Sequence, residues 1–200
     1  MDRIDELATA LARLPGIGPR QGKRFVFYLL SAGSAERKKL ADLITALGSD
    51  VHQCPECLRF FNGTTATVCN YCSAKTRDDS QLLIVEKDQD LSAVERAGTY
   101  KGRYFVLGGV LTLSGKGAIR EKELLRAVEK RLKNGLKEVV LALSATSEGE
   151  HTADRVRELL APHRDSLTIS VLGRGLATGS ELEYSDAETL RAALAGRKEA

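Results

Sequence analysis

Ile4, Leu7, Ala8, Leu11 and Leu14 recur at helical spacing and stop at Pro15-Gly16, so the chain opens with an amphipathic helix that ends there. After Gly16-Ile17-Gly18, Pro19 sits where a first helical residue tolerates proline, and Gln21 to Leu30 follows before Ser31-Ala32-Gly33 breaks the run. This predicts a helix, a tight hairpin and a second helix, with Ile17, Phe25 and Leu29 in its core. A third helix is expected from a Ser34 cap to a stop at Gly48, with Leu40, Leu43, Ile44 and Leu47 on one apolar face. Residues 52–78 are poor in aliphatic side chains and hold all four cysteines. From Gln81 onward, the branched runs Leu82–Val85, Tyr104–Leu107, Val139–Leu143 and Leu167–Leu172 alternate with helical stretches near Asp90–Ala97, Arg120–Leu132 and Glu150–Leu160. That alternation predicts a parallel sheet covered on both faces. Ser185 or Asp186 then caps a last helix, Ala187 to Leu194.

Two hundred residues, 42% hydrophobic and 28% charged, are enough chain for one medium domain or two to three small ones. The longest apolar runs fall far short of a membrane span. The mixed charges from residue 2 onward do not read as a signal peptide, so a cytoplasmic location is expected. A net charge of +3 is too small to argue for nucleic acid by itself, so the position of the charge has to decide. Ten aromatics without a tryptophan argue against base stacking as the main binding device.

Cys54-Pro-Glu-Cys57 and Cys69-Asn-Tyr-Cys72 are two CxxC knuckles eleven residues apart, a spacing that can set four thiolates at the corners of a tetrahedron, as Zn²⁺ prefers. The alternatives, disulfides or a redox CxxC, fit a cytosolic chain without a thioredoxin-like setting less well. Four sulfur ligands leave no open position for a substrate, so the expected role is one structural zinc per chain.

In Leu14-Pro15-Gly16-Ile17-Gly18-Pro19 the two glycines permit close approach, so hairpin N–H groups and the following helix N-terminus can face a phosphate. Arg13, Arg20, Lys23 and Arg24 surround it, and from Ala8 to Ser34 there is no acid, which makes this segment +4. DNA is placed here; the alternative is a glycine turn between packed helices with solvated basic residues. Two other phosphate motifs fail. Gly16-x-Gly18-x-x-x-Gly22 has the wrong spacing and follows a helix, and Gly115-Lys116 lacks the first glycine and the Ser or Thr of a P-loop.

Glu86 follows the first strand of the sheet, and Ser144-Ala-Thr-Ser-Glu-Gly-Glu150 follows the third, so these acids can meet outside the carboxyl ends of parallel strands. The layout resembles a Toprim domain, the metal-binding module of topoisomerases and primases. Ser144 and Thr146 stand where that pattern has aspartates, while Glu86, Glu148, Gly149 and Glu150 match it. Loss of two hard oxygen ligands predicts weakened Mg²⁺ binding, leaving three readings of the acids: helix and loop support, a weak Mg²⁺ site, or an acidic docking surface.

Through nearly its whole length the chain resembles the RecR family of bacterial recombination mediators. The likeness lies in LPGIGP at 14–19, the knuckle at 54–72, VERAGTYKGRYFVLGGV at 94–110, TSEGE at 146–150 and RGLATGSELEYSD at 174–186. It implies a multidomain α/β chain: a helix-hairpin-helix module over residues 1–51, a zinc knuckle over 52–79, a Toprim domain over 80–173, and a C-terminal Walker-B-like segment and helix over 174–200. It further implies ring-like homotetramers that clamp DNA without catalysis and, with RecO and RecF, load RecA onto single-stranded gaps coated with SSB. Carried over by residue, Gly16, Gly18, Lys23 and Arg24 face DNA, the four cysteines hold zinc, and Glu86, Asp88, Glu148 and Glu150 form an acidic surface associated with RecO. The chain departs from the family pattern at Ser144-Ala145 and at Ala177-Thr178. The rival classes are an Mg²⁺-dependent Toprim nuclease or topoisomerase-like enzyme and a zinc-stabilised adaptor that barely touches DNA.

Overall fold

In the computed structural model, which describes residues 2–63, 66–114 and 117–197, the branched runs become the strands of a four-stranded parallel sheet. Strands β1 (Val51–Gln53) and β2 (Phe60–Asn62) pair by themselves, whereas β3 (Asp78–Val85), β4 (Gly102–Val106), β5 (Glu138–Ala142) and β6 (Thr168–Val171) form the sheet in the order β4-β3-β5-β6. The central register pairs Leu82 to Val85 with Val139 to Ala142 on one side and with Arg103 to Val106 on the other. Gly115 and Lys116, the rejected P-loop pair, lie outside the described residues.

Successive strand residues point to opposite faces, and both faces are buried here, as a parallel sheet requires. Leu82, Ile84, Phe105, Leu107, Val139 and Leu141 pack on one side with Leu124 and Val128 of helix α6 (Glu121–Leu132) and with Val156 and Leu160 of helix α7 (Ser147–Leu160). Leu83, Val85, Tyr104 and Val106 pack on the other with Leu91 of helix α5 (Asp88–Ala97). The short helix α4 (Asn70–Ser73) adds Tyr71 to that second face. Helix α8 (Ala187–Ala195) is capped by Asp186, whose carboxylate accepts from the N–H groups of Glu188 and Thr189 at 2.9 Å each.

The chain divides into two compact units, residues 1–52 with 62–64, and residues 53–61 with 65–200. The first is helical: α1 (Arg3–Leu11), α2 (Pro19–Ser31) and α3 (Ser34–Asp50). Helices α1 and α2 meet through Ala8, Gly22 and Val26, so closely that a Cβ on Gly22 would lie 2.5 Å from the Ala8 carbonyl oxygen. This corrects the expected core, because the turn that buries Gly22 and Val26 rotates Phe25 outward and leaves it exposed. Helix α3 also differs from expectation at both ends. Gly33 occupies the cap position, with Ser34 already helical and making no capping bond, and the helix runs through Gly48 to Asp50. Gly48 lacks the positive φ of a helix stop, and an interior glycine costs only about 1 kcal/mol. No residue of α3 is buried, and Leu40, Leu43, Ile44 and Leu47 are exposed together.

On the second sheet face the Glu95 carboxylate receives Arg77 Nη2 at 2.6 Å and the Tyr104 hydroxyl at 2.5 Å. Burial works against its charge, but the hydrogen bonds from Tyr104 and Arg77, with the attraction of Arg77 and Lys101, outweigh it and hold the carboxyl below its ordinary value. A depressed carboxyl contributes stability that is present above the unfolded-state value and lost as pH falls through the folded one. We expect Glu95→Gln to lower stability at neutral pH and to flatten the loss of stability below about pH 4, measured by urea unfolding across a pH series.

Candidate metal centre and nucleic-acid face

The two CxxC segments each turn back on themselves. The Leu58 N–H donates to the Cys54 carbonyl at 2.8 Å and the Cys72 N–H to the Cys69 carbonyl at 3.0 Å, and Leu58 takes a left-handed φ of 59° to close the first turn. The four Sγ atoms lie within 4.8 Å of one another, with Cys57 and Cys69 3.6 Å apart. That is far longer than a disulfide at about 2.05 Å, and close to the roughly 3.8 Å edge of a tetrahedron with metal–sulfur bonds of about 2.3 Å. Cys54, Cys57 and Cys69 have no exposed surface, and the Cys69 N–H donates to Cys54 Sγ at 3.4 Å. Four sulfurs gathered this tightly fit a structural metal with a closed coordination shell.

The cluster is joined to the edge strand of the sheet by main-chain and guanidinium bonds. The Val106 N–H donates to the Cys57 carbonyl at 2.8 Å. Arg103, only 8% exposed, donates to the Tyr71 and Cys72 carbonyls at 3.0 Å each and to Asp79 at 2.7 Å. Arg120 donates to the Leu58 and Val106 carbonyls at 2.9 Å each. Two guanidinium groups lie over the Tyr71 ring, Arg59 at 4.4 Å and Arg77 at 4.8 Å, and Arg77 also lies over Tyr104 at 5.2 Å. Sequence reasoning passed over these residues. The one signal was Arg103, a charged residue inside the apolar strand Gly102–Val106, which demands buried partners.

The four acids expected on one surface have separate employments. Glu86, at the end of β3, accepts the Ser144 N–H at 2.6 Å, and Asp88 accepts the Phe60 N–H of the cysteine segment at 2.9 Å. Glu150 is ion-paired with Arg174, while Glu148 is exposed at the start of α7. Ser144 and Thr146 are 3.0 Å apart at their hydroxyls, and Thr146 caps α7 by accepting the Gly149 N–H at 3.1 Å. A Cβ on Gly149 would lie 2.0 Å from the Ser144 carbonyl oxygen, so glycine alone permits this turn. Among the described residues, only the cysteines form a group of three or more ligating side chains close enough to share an ion.

In the helical unit, Gly16 has φ 76° and Gly18 supplies no side-chain cap to α2. Space is open at both glycines, and Arg13, Arg20, Lys23 and Arg24 are all exposed around them. The first turn of α2 carries no acid. Lys23 is nevertheless paired with Asp5 of α1 at 3.3 Å, a neighbour that the acid-free run from Ala8 to Ser34 did not include. The arrangement offers an anion backbone donors, a helix N-terminus and three guanidinium groups, Arg13, Arg20 and Arg24, that have no ion-pair partner among the described residues.

Comparison with known proteins accounts for most of the chain. Residues 4–47 match the family described as RecR, helix-hairpin-helix, residues 80–172 the Toprim domain, and residues 175–198 the family described as RecR, C-terminal. The chain is 38% identical to Recombination protein RecR of Cutibacterium acnes over 97% of its own length and 94% of that protein. It is 36% identical to the protein of the same name from Cereibacter sphaeroides over 98% and 96%. With that of Paenarthrobacter aurescens it shares 37% over 98% and 96%.

Purified protein should carry about one equivalent of tightly held metal per chain by elemental analysis, and Cys57→Ser should lose it. Removing one of four thiolates should also lower the melting temperature by several degrees, whereas an unchanged metal content would remove the cluster from consideration as a metal site.

Proposed function

The chain belongs to the RecR family of recombination proteins, and we propose that it acts in recombinational DNA repair as a non-catalytic DNA clamp and loading factor. Its role in recombination follows from the family. The finer reading is that it binds gapped, single-stranded and duplex DNA and, with RecO and RecF, promotes loading of RecA onto SSB-coated gaps. The observation that carries it is the hairpin at Gly16 and Gly18, ringed by exposed Arg13, Arg20, Lys23 and Arg24, with open space where a backbone phosphate would approach.

The rest of the molecule supports binding over bond cleavage. A four-thiolate site, read here as Zn²⁺, is closed to substrate and serves folding. Glu86 and Asp88 are committed to main-chain N–H groups and Glu150 to Arg174, so the Toprim acids are arranged as supports and as a docking rim for RecO that is led by Glu148. Any Mg²⁺ held there would be weakly bound, since hydroxyls stand at Ser144 and Thr146.

Assembly into a ring-like homotetramer is supported by the bare apolar face of α3 and by exposed Phe27 and Leu30 on α2, which a second copy would cover. The working division is helix-hairpin-helix at 1–51, knuckle at 52–79, Toprim at 80–173 and C-terminal segment at 174–200. Among the described residues no helix is long and apolar enough to cross a membrane, and the proposed location is the cytoplasm, at the nucleoid.

Gapped DNA incubated with the protein and Mg²⁺ should be retarded on native gels and intact on denaturing gels. A triple alanine variant at Arg20, Lys23 and Arg24 should bind tenfold or more weakly at 100 mM salt, in line with the loss of about three phosphate contacts. Shortened strands that disappear with Glu86→Ala or Glu148→Ala would replace the clamp with a nuclease.

A further inference from the structure

Helix α6 carries a second concentration of positive charge that the hairpin reading leaves unused. From Lys122 to Lys137 there are six basic and two acidic side chains, a local +4 in a chain whose total is only +3. Outside this segment and the hairpin segment, therefore, the chain is net acidic. Lys122, Arg126 and Lys133 are spaced by four and seven residues, which places them on one face of the helix, and all three are exposed. Lys130 flanks that face and reaches Glu56 of the cysteine segment at 2.5 Å. Among the described residues Lys122, Arg126 and Lys133 have no ion-pair partner. The acid that starts the helix, Glu121, is taken by Arg155 at 2.9 and 3.0 Å, leaving Glu123 and Glu129 as the opposing charges.

The opposite side of α6 holds Leu124 and Val128 in the core, so the basic face is fixed outward by packing. From Lys122 to Lys133 the helix rises about 16 Å at about 1.5 Å per residue. A nucleic-acid strand passes roughly five phosphates in that length, at about 3.4 Å of axis each. The exposed residues on this face, Lys122, Arg126, Glu129, Lys130 and Lys133, include no apolar side chain. A protein partner normally finds an apolar centre in its interface, whereas a polyelectrolyte needs only a linear run of charge.

We propose that the Lys122–Arg126–Lys133 face of α6 is a second contact for the nucleic-acid phosphate backbone, separate from the hairpin. The contact rests on the DNA-binding reading above and adds to it. As a contact to phosphates it carries no sequence information. It also makes the sheet-bearing unit a participant in DNA holding in addition to its role as a scaffold.

The test is duplex DNA binding by the full-length protein, followed by fluorescence anisotropy over a salt series, for three forms: unaltered, Lys122→Ala/Arg126→Ala/Lys133→Ala, and Arg20→Ala/Lys23→Ala/Arg24→Ala. Alanine is the strongest helix former, so the α6 variant should keep its melting temperature. The proposal expects it to bind tenfold or more weakly at 100 mM salt, with the slope of log K against log salt reduced by about 2 to 3. An α6 variant matching the unaltered protein in affinity and slope, while the hairpin variant loses both, overturns the α6 contact and leaves DNA binding standing. No binding by the unaltered protein overturns both. If the α6 variant loses affinity for poly-L-glutamate while its DNA slope is unchanged, the face belongs to an acidic polypeptide, and the proposal fails.

Discussion

The hydrogen bond from the Val106 N–H to the Cys57 carbonyl joins the metal cluster to the sheet, and much of the second unit depends on that junction. Strand β4 lies at an edge and would otherwise present unpaired main-chain groups. The cysteine segment covers it, with Arg120 taking the Leu58 and Val106 carbonyls, Arg103 taking those of Tyr71 and Cys72, and Asp88 taking the Phe60 N–H. Each bond is worth about 1 kcal/mol or somewhat more where charged, so the set is substantial against typical domain stability. All of them but the Arg120–Val106 bond have one partner in the cysteine segment, whose shape the two CxxC turns set. Four thiols this close keep it best as thiolates around one cation.

The same economy shapes the carboxyl ends of the strands. A sheet of this topology usually collects ligands there, yet Glu86 is spent on the Ser144 N–H and the Ser144–Thr146 hydroxyl pair is spent on capping α7. Gly149 lets α7 begin directly against the Ser144 carbonyl. The exposed side chains of the described residues are sharply divided: basic at the hairpin and along α6, apolar along α3, and acidic at Glu148.

The sheet was legible because its strands are continuous branched runs, and the sulfur cluster because two CxxC pairs at that spacing have few other uses. Fold class and family membership followed from these features with the hairpin. Helix register was harder: Phe25 and Val26 are both plausible core residues, and only the close approach at Gly22 decides that Val26 faces α1. The acids were the least legible part. Sequence displays the charge of Asp88 but not the Phe60 N–H that occupies it, and it shows no acid in the hairpin segment while Asp5 reaches Lys23 from the preceding helix. Arg120 and Tyr71 escaped notice because their partners are main-chain carbonyls and stacked guanidinium groups, which carry no sequence signature, and Arg103 showed only as a charge within an apolar strand.

Hydrogen exchange measured by mass spectrometry before and after metal chelation tests the central claim most directly. The account predicts that residues 102–107 and 58–60 lose protection together when the metal is withdrawn, while the β5 and β6 strands, away from the cysteine segment, keep theirs. If residues 54–72 opened while 102–107 stayed fully protected, the cluster would be a detached ornament, and the dependence of the sheet edge upon it would be contradicted.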